Sequence, residues 1–187
     1  FYINRENERR YMADKGDVIN GETLDKDVVG QVGRMDSRGF DVELTYRPVR
    51  GLSLTTGYGY TDARLRKIAT NPYLDGENLV GKRYAYSPLH SFYVYADYTI
   101  REGVLRGLGF NFDVTYQDEV YRDFSNTSTF PSYWITDASI SYRLPNRVRL
   151  RLNVNNVFNT DYYNEALDSQ YVPGMPRNFL ISAAYSL

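Results

Sequence analysis

The sequence predicts an all-β protein, a transmembrane antiparallel β-barrel wall of about eight strands. Three features predict it. Apolar and polar residues alternate with period two along several runs of ten residues or more. Short turns and long polar segments take turns in joining those runs. Tyrosine is the dominant ring, with 19 Tyr against 9 Phe and 1 Trp, on a chain whose mean hydropathy is −0.52. Amphipathic rings on a polar chain suit a surface that is part grease and part water.

The first strand, near residues 1–11, opens Phe1-Tyr2-Ile3-Asn4 as if already under way, with no initiator Met and no signal segment. This reads as a chain whose leader has been removed or as a piece of a longer one. The second, near 28–47, sets Phe40, Val42, Leu44 and Tyr46 against Asp41, Glu43, Thr45 and Arg47. The third, near 51–64, sets Leu52, Leu54, Thr56, Tyr58 and Tyr60 against Ser53, Thr55, Gly57, Gly59 and Thr61. The fourth, near 83–100, carries Phe92, Val94, Ala96, Tyr98 and Ile100 on its apolar face. The fifth, near 104–121, alternates Leu108, Phe110, Phe112, Val114 and Tyr116 with Gly109, Asn111, Asp113, Thr115 and Gln117. The sixth, near 131–144, follows less cleanly with Trp134, Ala138, Ile140, Tyr142 and Leu144. The seventh, near 147–158, alternates strictly from Arg147 through Asn155. The eighth, near 175–187, runs as an apolar strand to Leu187. Short turns are expected at 47–51, 101–103 and 145–147, and long polar segments at 12–26, 62–82, 118–131 and 159–174.

Composition excludes several classes. With 22 Lys plus Arg, 23 Asp plus Glu and net charge −1, the chain lacks the basic excess a nucleic-acid binder needs. With no Cys and a single His, there is no disulfide framework, thiolate zinc site or His-based metal cluster. No apolar run is long enough for a transmembrane helix. A soluble β-sandwich also alternates, but its strands are typically about 5–6 residues, so the long runs here favour the barrel. No cofactor is expected.

Several motifs resemble TonB-dependent outer-membrane receptors. Leu152-Asn153-Val154-Asn155-Asn156-Val157-Phe158-Asn159-Thr160-Asp161-Tyr162-Tyr163 resembles the family's penultimate strand and loop. Pro173-Gly174-Met175-Pro176-Arg177-Asn178-Phe179 resembles the Gly-x-Pro-Arg-aromatic run into its final strand. Ser37-Arg38-Gly39-Phe40-Asp41-Val42-Glu43 resembles its Ser-Arg-Gly-x-Glu-x-Glu segment, and Tyr60-Thr61-Asp62-Ala63 and Ser87-Pro88-Leu89-His90 sit at family-like intervals. The likeness spans nearly the whole chain and is nearest to the siderophore branch. Two departures stand out. The chain ends in Leu187 where the family usually has Phe, and the N-terminal plug and TonB box are missing. The resemblance therefore implies that residues 1–187 are the C-terminal segment of a 22-stranded type of barrel.

An eight-stranded barrel could close on itself, with its lumen filled by bulky paired charges. Here Gly57, Gly59, Gly107 and Gly109 fill nothing, and the stripe Arg147, Arg149, Arg151 has no equally dense acidic stripe beside it. An open sheet would leave bare edges in lipid, so partner strands are expected from the same or a second chain.

The resemblance implies uptake of a metal chelate, above all a ferric siderophore, across the bacterial outer membrane. Its implied partners are the remaining strands and plug, TonB through the missing portion, the chelate, and outer-membrane lipid. Loop aromatics offer flat contact to an organic shell, and Arg offers charge to an anionic complex. The candidates are Tyr84, Tyr86, Tyr121, Arg122, Trp134, Tyr162, Tyr163 and Tyr171, against the competing roles of membrane girdle and loop packing. Arg177 is expected to fix the outer end of the last strand, and His90 to be an interfacial ring. Asp75-Gly76-Glu77-Asn78 reads as a turn rather than a calcium loop, and Asp118-Glu119 as a solvated pair. No catalytic constellation is visible. The competing functions are a self-contained eight-stranded barrel with an anchoring or structural role and a soluble binding sandwich.

Overall fold

A computed structural model of the chain describes residues 1–13, 18–19, 22–23, 28–67, 79–144, 147–167 and 170–185. The described residues contain strands, turns and bends and no helix. In chain order the strands are β1 (Tyr2–Ala13), β2 (Val18–Ile19), β3 (Glu22–Thr23), β4 (Val28–Tyr46) and β5 (Leu52–Lys67). They continue with β6 (His90–Thr99), β7 (Leu108–Gln117), β8 (Val120–Tyr121), β9 (Thr129–Phe130) and β10 (Tyr133–Arg143). The last four are β11 (Val148–Asn155), β12 (Tyr163–Leu167), β13 (Gln170–Pro173) and β14 (Asn178–Tyr185). Eight of them form one sheet in the order β1-β4-β5-β6-β7-β10-β11-β14, and the other six make three two-stranded hairpins. These eight long strands are the eight that the alternation predicts.

Where boundaries differ from the predicted ones, the backbone supplies the reason. The fourth strand starts at His90 rather than near residue 83. Tyr86 adopts φ 61°, and Pro88 has no N–H to give to a ladder. The seventh stops at Asn155 because Asn156 turns left-handed at φ 51°, a conformation Asn tolerates better than most residues. The eighth begins at Asn178, after Pro176.

Two compact units can be distinguished. The first comprises residues 1–40, 61–87 and 120–129; the second comprises 41–60, 88–119 and 130–187. In the first, β1 pairs antiparallel with β4 from Tyr2–Arg38 to Ala13–Val28, with irregularities near Glu8 and Tyr11. Asp36, almost fully buried, is held between Arg34 at 3.0 Å and Arg66 at 3.3 Å. Such a buried carboxylate requires this pairing.

The second unit is built as one layer of sheet with two unlike faces. Register carries the apolar face across strands: Leu54 faces Ala96, Ala96 faces Phe112, Phe112 faces Ala138, and Ala138 faces Val154. A second row runs Tyr98, Phe110, Ile140, Leu152, Ile181. Phe112 is 46% exposed, Leu150 44% and Ile181 79%. Among the described residues of this unit none covers these rows, and a contiguous apolar surface of this kind marks contact with an apolar medium or partner.

The opposite face is polar and hydrogen-bonded along the same rows. Asp97, Asn111, Ser139 and Asn153 are successive register partners. Asn111 donates to the Tyr95 hydroxyl at 2.8 Å and to the Asp97 carboxylate, while Ser139 Oγ donates to Asn111 Oδ1 at 3.0 Å. Gly57 has a specific use here. A Cβ at this position would fall inside the ring of Tyr93, whose hydroxyl donates to Glu43. Glycine lets the tyrosine lie flat over its neighbour strand, an arrangement known to protect sheet glycines. The glycine that fills nothing by itself is filled by a ring from the next strand.

One prediction follows from the two faces. Phe112→Arg or Leu150→Arg destabilises insertion by about 2–4 kcal/mol near the midplane of a bilayer, measured by denaturant titration of the receptor folded into vesicles. Asn111→Arg and Asn153→Arg cost far less; equal tolerance at both pairs contradicts the assignment of faces.

Candidate functional site

The first unit folds its loop segments onto a small apolar cluster. Leu65, Leu79, Ala85 and Phe124 are buried, with Tyr84 packed against them. Tyr84 meets Phe124 edge-on at 5.0 Å, a favoured aromatic geometry. Backbone bonds stitch the segments around this cluster: Leu65 N–H donates to Lys82 O at 3.0 Å, Gly81 N–H to Leu65 O at 2.8 Å, and Tyr84 N–H to Ala63 O at 2.8 Å. Tyr86 N–H donates to Tyr121 O at 2.8 Å, which draws two distant loop segments side by side.

Asn126 and Asp123 set the conformation of the 120–129 segment. Asn126 Oδ1 accepts from Arg83 N–H at 2.8 Å, and its Nδ2 donates to Arg83 O at 3.0 Å. The amide side chain thus mimics a strand neighbour for Arg83. Asp123 accepts from Thr127 N–H at 2.9 Å, Ser128 N–H at 2.9 Å and Ser128 Oγ at 2.7 Å. Partial burial pushes the Asp123 carboxyl up, but the bonds from Thr127 and Ser128 together outweigh it and hold it below the ordinary carboxylate range.

On this frame the Arg83 guanidinium lies 5.4 Å from the centre of the Tyr121 ring. The contact is a cation–π pair, and Arg83 Nη2 donates to Ser87 O at 3.4 Å. Arg122 N–H donates to Ser128 O at 3.0 Å. Of the eight predicted residues, Tyr84, Tyr86, Tyr121 and Arg122 therefore belong to one unit. Arg83 was not among them, and neither was Asn126. Their pairing spans 43 residues and leaves no local signal in sequence.

The second unit holds Trp134, Tyr162, Tyr163 and Tyr171. Tyr162 lies 4.9 Å from Tyr133, and its ring covers Gly174 so closely that no Cβ could fit. Tyr163 lies 4.6 Å from Phe130. Tyr171 is in β13 opposite Ala166, and its side chain is outside the described residues, as is the whole of Asp75-Gly76-Glu77-Asn78. Trp134 stands on the apolar face, 4.6 Å from Tyr116 and 6.3 Å from Phe92. His90 stands on the same face, its Nδ1 2.8 Å from the Tyr58 hydroxyl and its ring stacked on Tyr58. Such a band of rings suits a membrane interface.

The Asn-x-x-Asn and Pro-Arg motifs build a knot at the end of β11. Asn156, 3% exposed, donates from Nδ2 to Thr160 O at 2.8 Å and Met175 O at 3.1 Å, and accepts from Thr160 N–H at 2.8 Å. Its own N–H donates to Asp137 Oδ1 at 2.7 Å. Asn159 Oδ1 accepts from Arg177 N–H at 2.9 Å, and Arg177 Nη1 donates to Val157 O at 3.3 Å. Arg177 thus fastens the start of β14. Among the described residues no group of three or more His, Asp or Glu is placed to hold a metal.

Comparison with known proteins adds to this geometry. A family model described as "TonB dependent receptor-like, beta-barrel" matches residues 1–157. The metal-pseudopaline receptor CntO of Pseudomonas aeruginosa is 30% identical over 171 residues, covering 90% of this chain and 23% of that protein. The ferrioxamine B receptor of Salmonella typhimurium is 30% identical over 135 residues, covering 70% of this chain and 18% of the receptor. The crystal structure of the siderophore receptor PiuA from Acinetobacter baumannii superposes with a TM-score of 0.73 at 24% identity, over 97% of this chain and 24% of PiuA. The chain spans about a quarter or less of the length of these relatives.

Two outcomes are expected from the two scaffolds. Hydrogen exchange at the Thr127 and Ser128 amides stays protected from neutral pH down through the ordinary carboxylate range. It is lost as pH falls through the depressed folded-state value of Asp123, because a lowered carboxyl stabilises the fold only while it is ionised. Asp123→Asn abolishes this pH dependence. Asn156→Ala, by leaving buried backbone groups unpaired, costs about 2–3 kcal/mol in denaturant unfolding, whereas an exposed change such as Asn159→Asp costs less.

Proposed function

The chain belongs to the family of TonB-dependent receptor-like β-barrels, and from that premise we propose that residues 1–187 form the C-terminal part of an outer-membrane transporter for a metal chelate, above all a ferric siderophore. The eight strands of the large sheet supply barrel wall, with the apolar rows toward lipid and the polar rows toward the lumen. The short connections that the sequence places at 47–51, 101–103 and 145–147 are assigned to the periplasmic end, and the long polar segments to the outside. The remaining strands and the plug lie in receptor sequence beyond this chain, and coupling to TonB runs through that portion. On this reading the chain is a transport component and not an enzyme.

The observation that carries the proposal is the loop unit to which Tyr84, Tyr86, Tyr121 and Arg122 belong, and in which the Arg83 guanidinium lies over Tyr121. An anionic ferric chelate presents carbonyl or hydroxyl oxygens and a flat organic shell. Tyr86 and Tyr121 offer ring faces, and the guanidinium of Arg83, held over Tyr121, offers N–H groups to those oxygens. Tyr84 and Arg122 hold the segment in shape. Tyr162 and Tyr163 extend the aromatic lining within the second unit, and Tyr171 is proposed with them from its residue type and its place in β13. Trp134 is assigned to the lipid girdle instead, since it shares a face with Phe92 and Tyr116. The self-contained barrel would need β1 paired with β14, and the sheet order sets them at opposite ends.

The test is uptake of radioactive iron by cells whose only siderophore receptor is the full protein containing this chain. The chelates offered are ferrioxamine B and a ferric catecholate. Accumulation of at least one, lost on deleting the receptor, is expected. Arg83→Ala combined with Tyr121→Ala raises the half-saturating concentration about tenfold, about 1.4 kcal/mol of binding, with the maximal rate little changed. Iron accumulation that is indifferent to the receptor contradicts the proposal.

A further inference from the structure

The polar face of the second unit ends, beside its short turns, in a concentration of arginine. Arg101 and Arg106 come from the β6–β7 turn, Arg143 from the end of β10, and Arg149 and Arg151 from β11. Together with Asp97 they line a cavity of about 380 Å³. Arg143 and Arg149 are direct register partners. Like charges placed opposite one another across a ladder repel, so this arrangement weakens the sheet unless something offsets it. The one carboxylate in the lining, Asp97, already accepts from Asn111. None of the five arginines is ion-paired with a described residue. Glu102 lies in the same turn as Arg101 but does not line the cavity.

Five guanidinium groups around a small open space have one evident use. Each presents a planar fork of donors that matches a carboxylate or phosphate edge. The cavity falls within the size range of small-ligand sites, about 300–1,000 Å³. We propose that this cavity binds a small oxyanion carrying two or more negative charges, of the phosphate or polycarboxylate class. The anion removes the Arg143–Arg149 repulsion and so tightens the ends of β10 and β11. The site rests on the second unit alone and is independent of which chelate the loops of the first unit take.

The experiment uses the full receptor containing this chain, purified in detergent, with inorganic pyrophosphate and citrate as probes. Binding is read by calorimetry and by melting temperature at constant ionic strength. Saturable binding of pyrophosphate or citrate is expected, and which of the two binds more tightly identifies the source chemistry. Arg106→Gln, placed in a turn outside any ladder, weakens binding about tenfold, and so does Arg149→Gln. Arg50→Gln, in a different short turn and outside the cavity, leaves binding unchanged. Absence of saturable binding overturns the proposal, as it would if an acidic segment of the receptor itself filled the cavity. Equal loss in Arg50→Gln and Arg106→Gln also overturns it, because it would show diffuse charge attraction rather than a site. Iron uptake is not part of the readout, so failure here leaves the transport assignment standing.

Discussion

A backbone placed in hydrocarbon has no water to satisfy its N–H and C=O groups, and every other feature of this chain follows from that requirement. Strands answer it only by pairing with strands. Pairing at period two then fixes two faces at once, so the sheet that satisfies the backbone also sorts Phe112 from Asn111 and Leu152 from Asn153. The sheet order leaves β1 and β14 with one strand neighbour each among the described residues. A wall with two such edges belongs in a larger assembly, and the lengths of its relatives agree, since the chain spans about a quarter or less of each.

The residues proposed to meet the chelate lie where this constraint lapses. Beyond the ladder, loops must make their own order, and the chain does so with side chains that imitate backbone. Asn126 acts as a strand neighbour to Arg83, Asp123 caps the amides of 127 and 128, and Asn156 gathers Thr160 and Met175. In the first unit these polar bonds hold loop segments that also share a small apolar cluster.

The fold was largely legible because alternation is a local signal. All eight long strands stand where the period puts them. The ends were less legible, because a single left-handed residue such as Tyr86 or Asn156 stops a strand without altering its pattern. Residue type and loop position pointed to Tyr84, Tyr86, Tyr121 and Arg122, and folding gathers them in one unit. Arg83 and Asn126 were invisible, since their pairing depends on chain segments 43 residues apart. Trp134 shows the opposite case. Its even-numbered place beside Ala138, Ile140 and Tyr142 sets it on the apolar face already in the sequence. The arginine stripe was visible in sequence, but the turn arginines that complete the cavity become its neighbours only through β6–β7–β10 pairing.

Lipid and water meet opposite faces of the same strands. Single cysteines are introduced one at a time from Leu108 to Gln117 in the full receptor cleared of any native cysteine (this chain has none), reconstituted in vesicles and spin-labelled. Oxygen dissolved in the bilayer should relax labels at 108, 110, 112, 114 and 116, and an aqueous nickel chelate those at 109, 111, 113, 115 and 117. Uniform accessibility along the strand, or the reverse order, would contradict this.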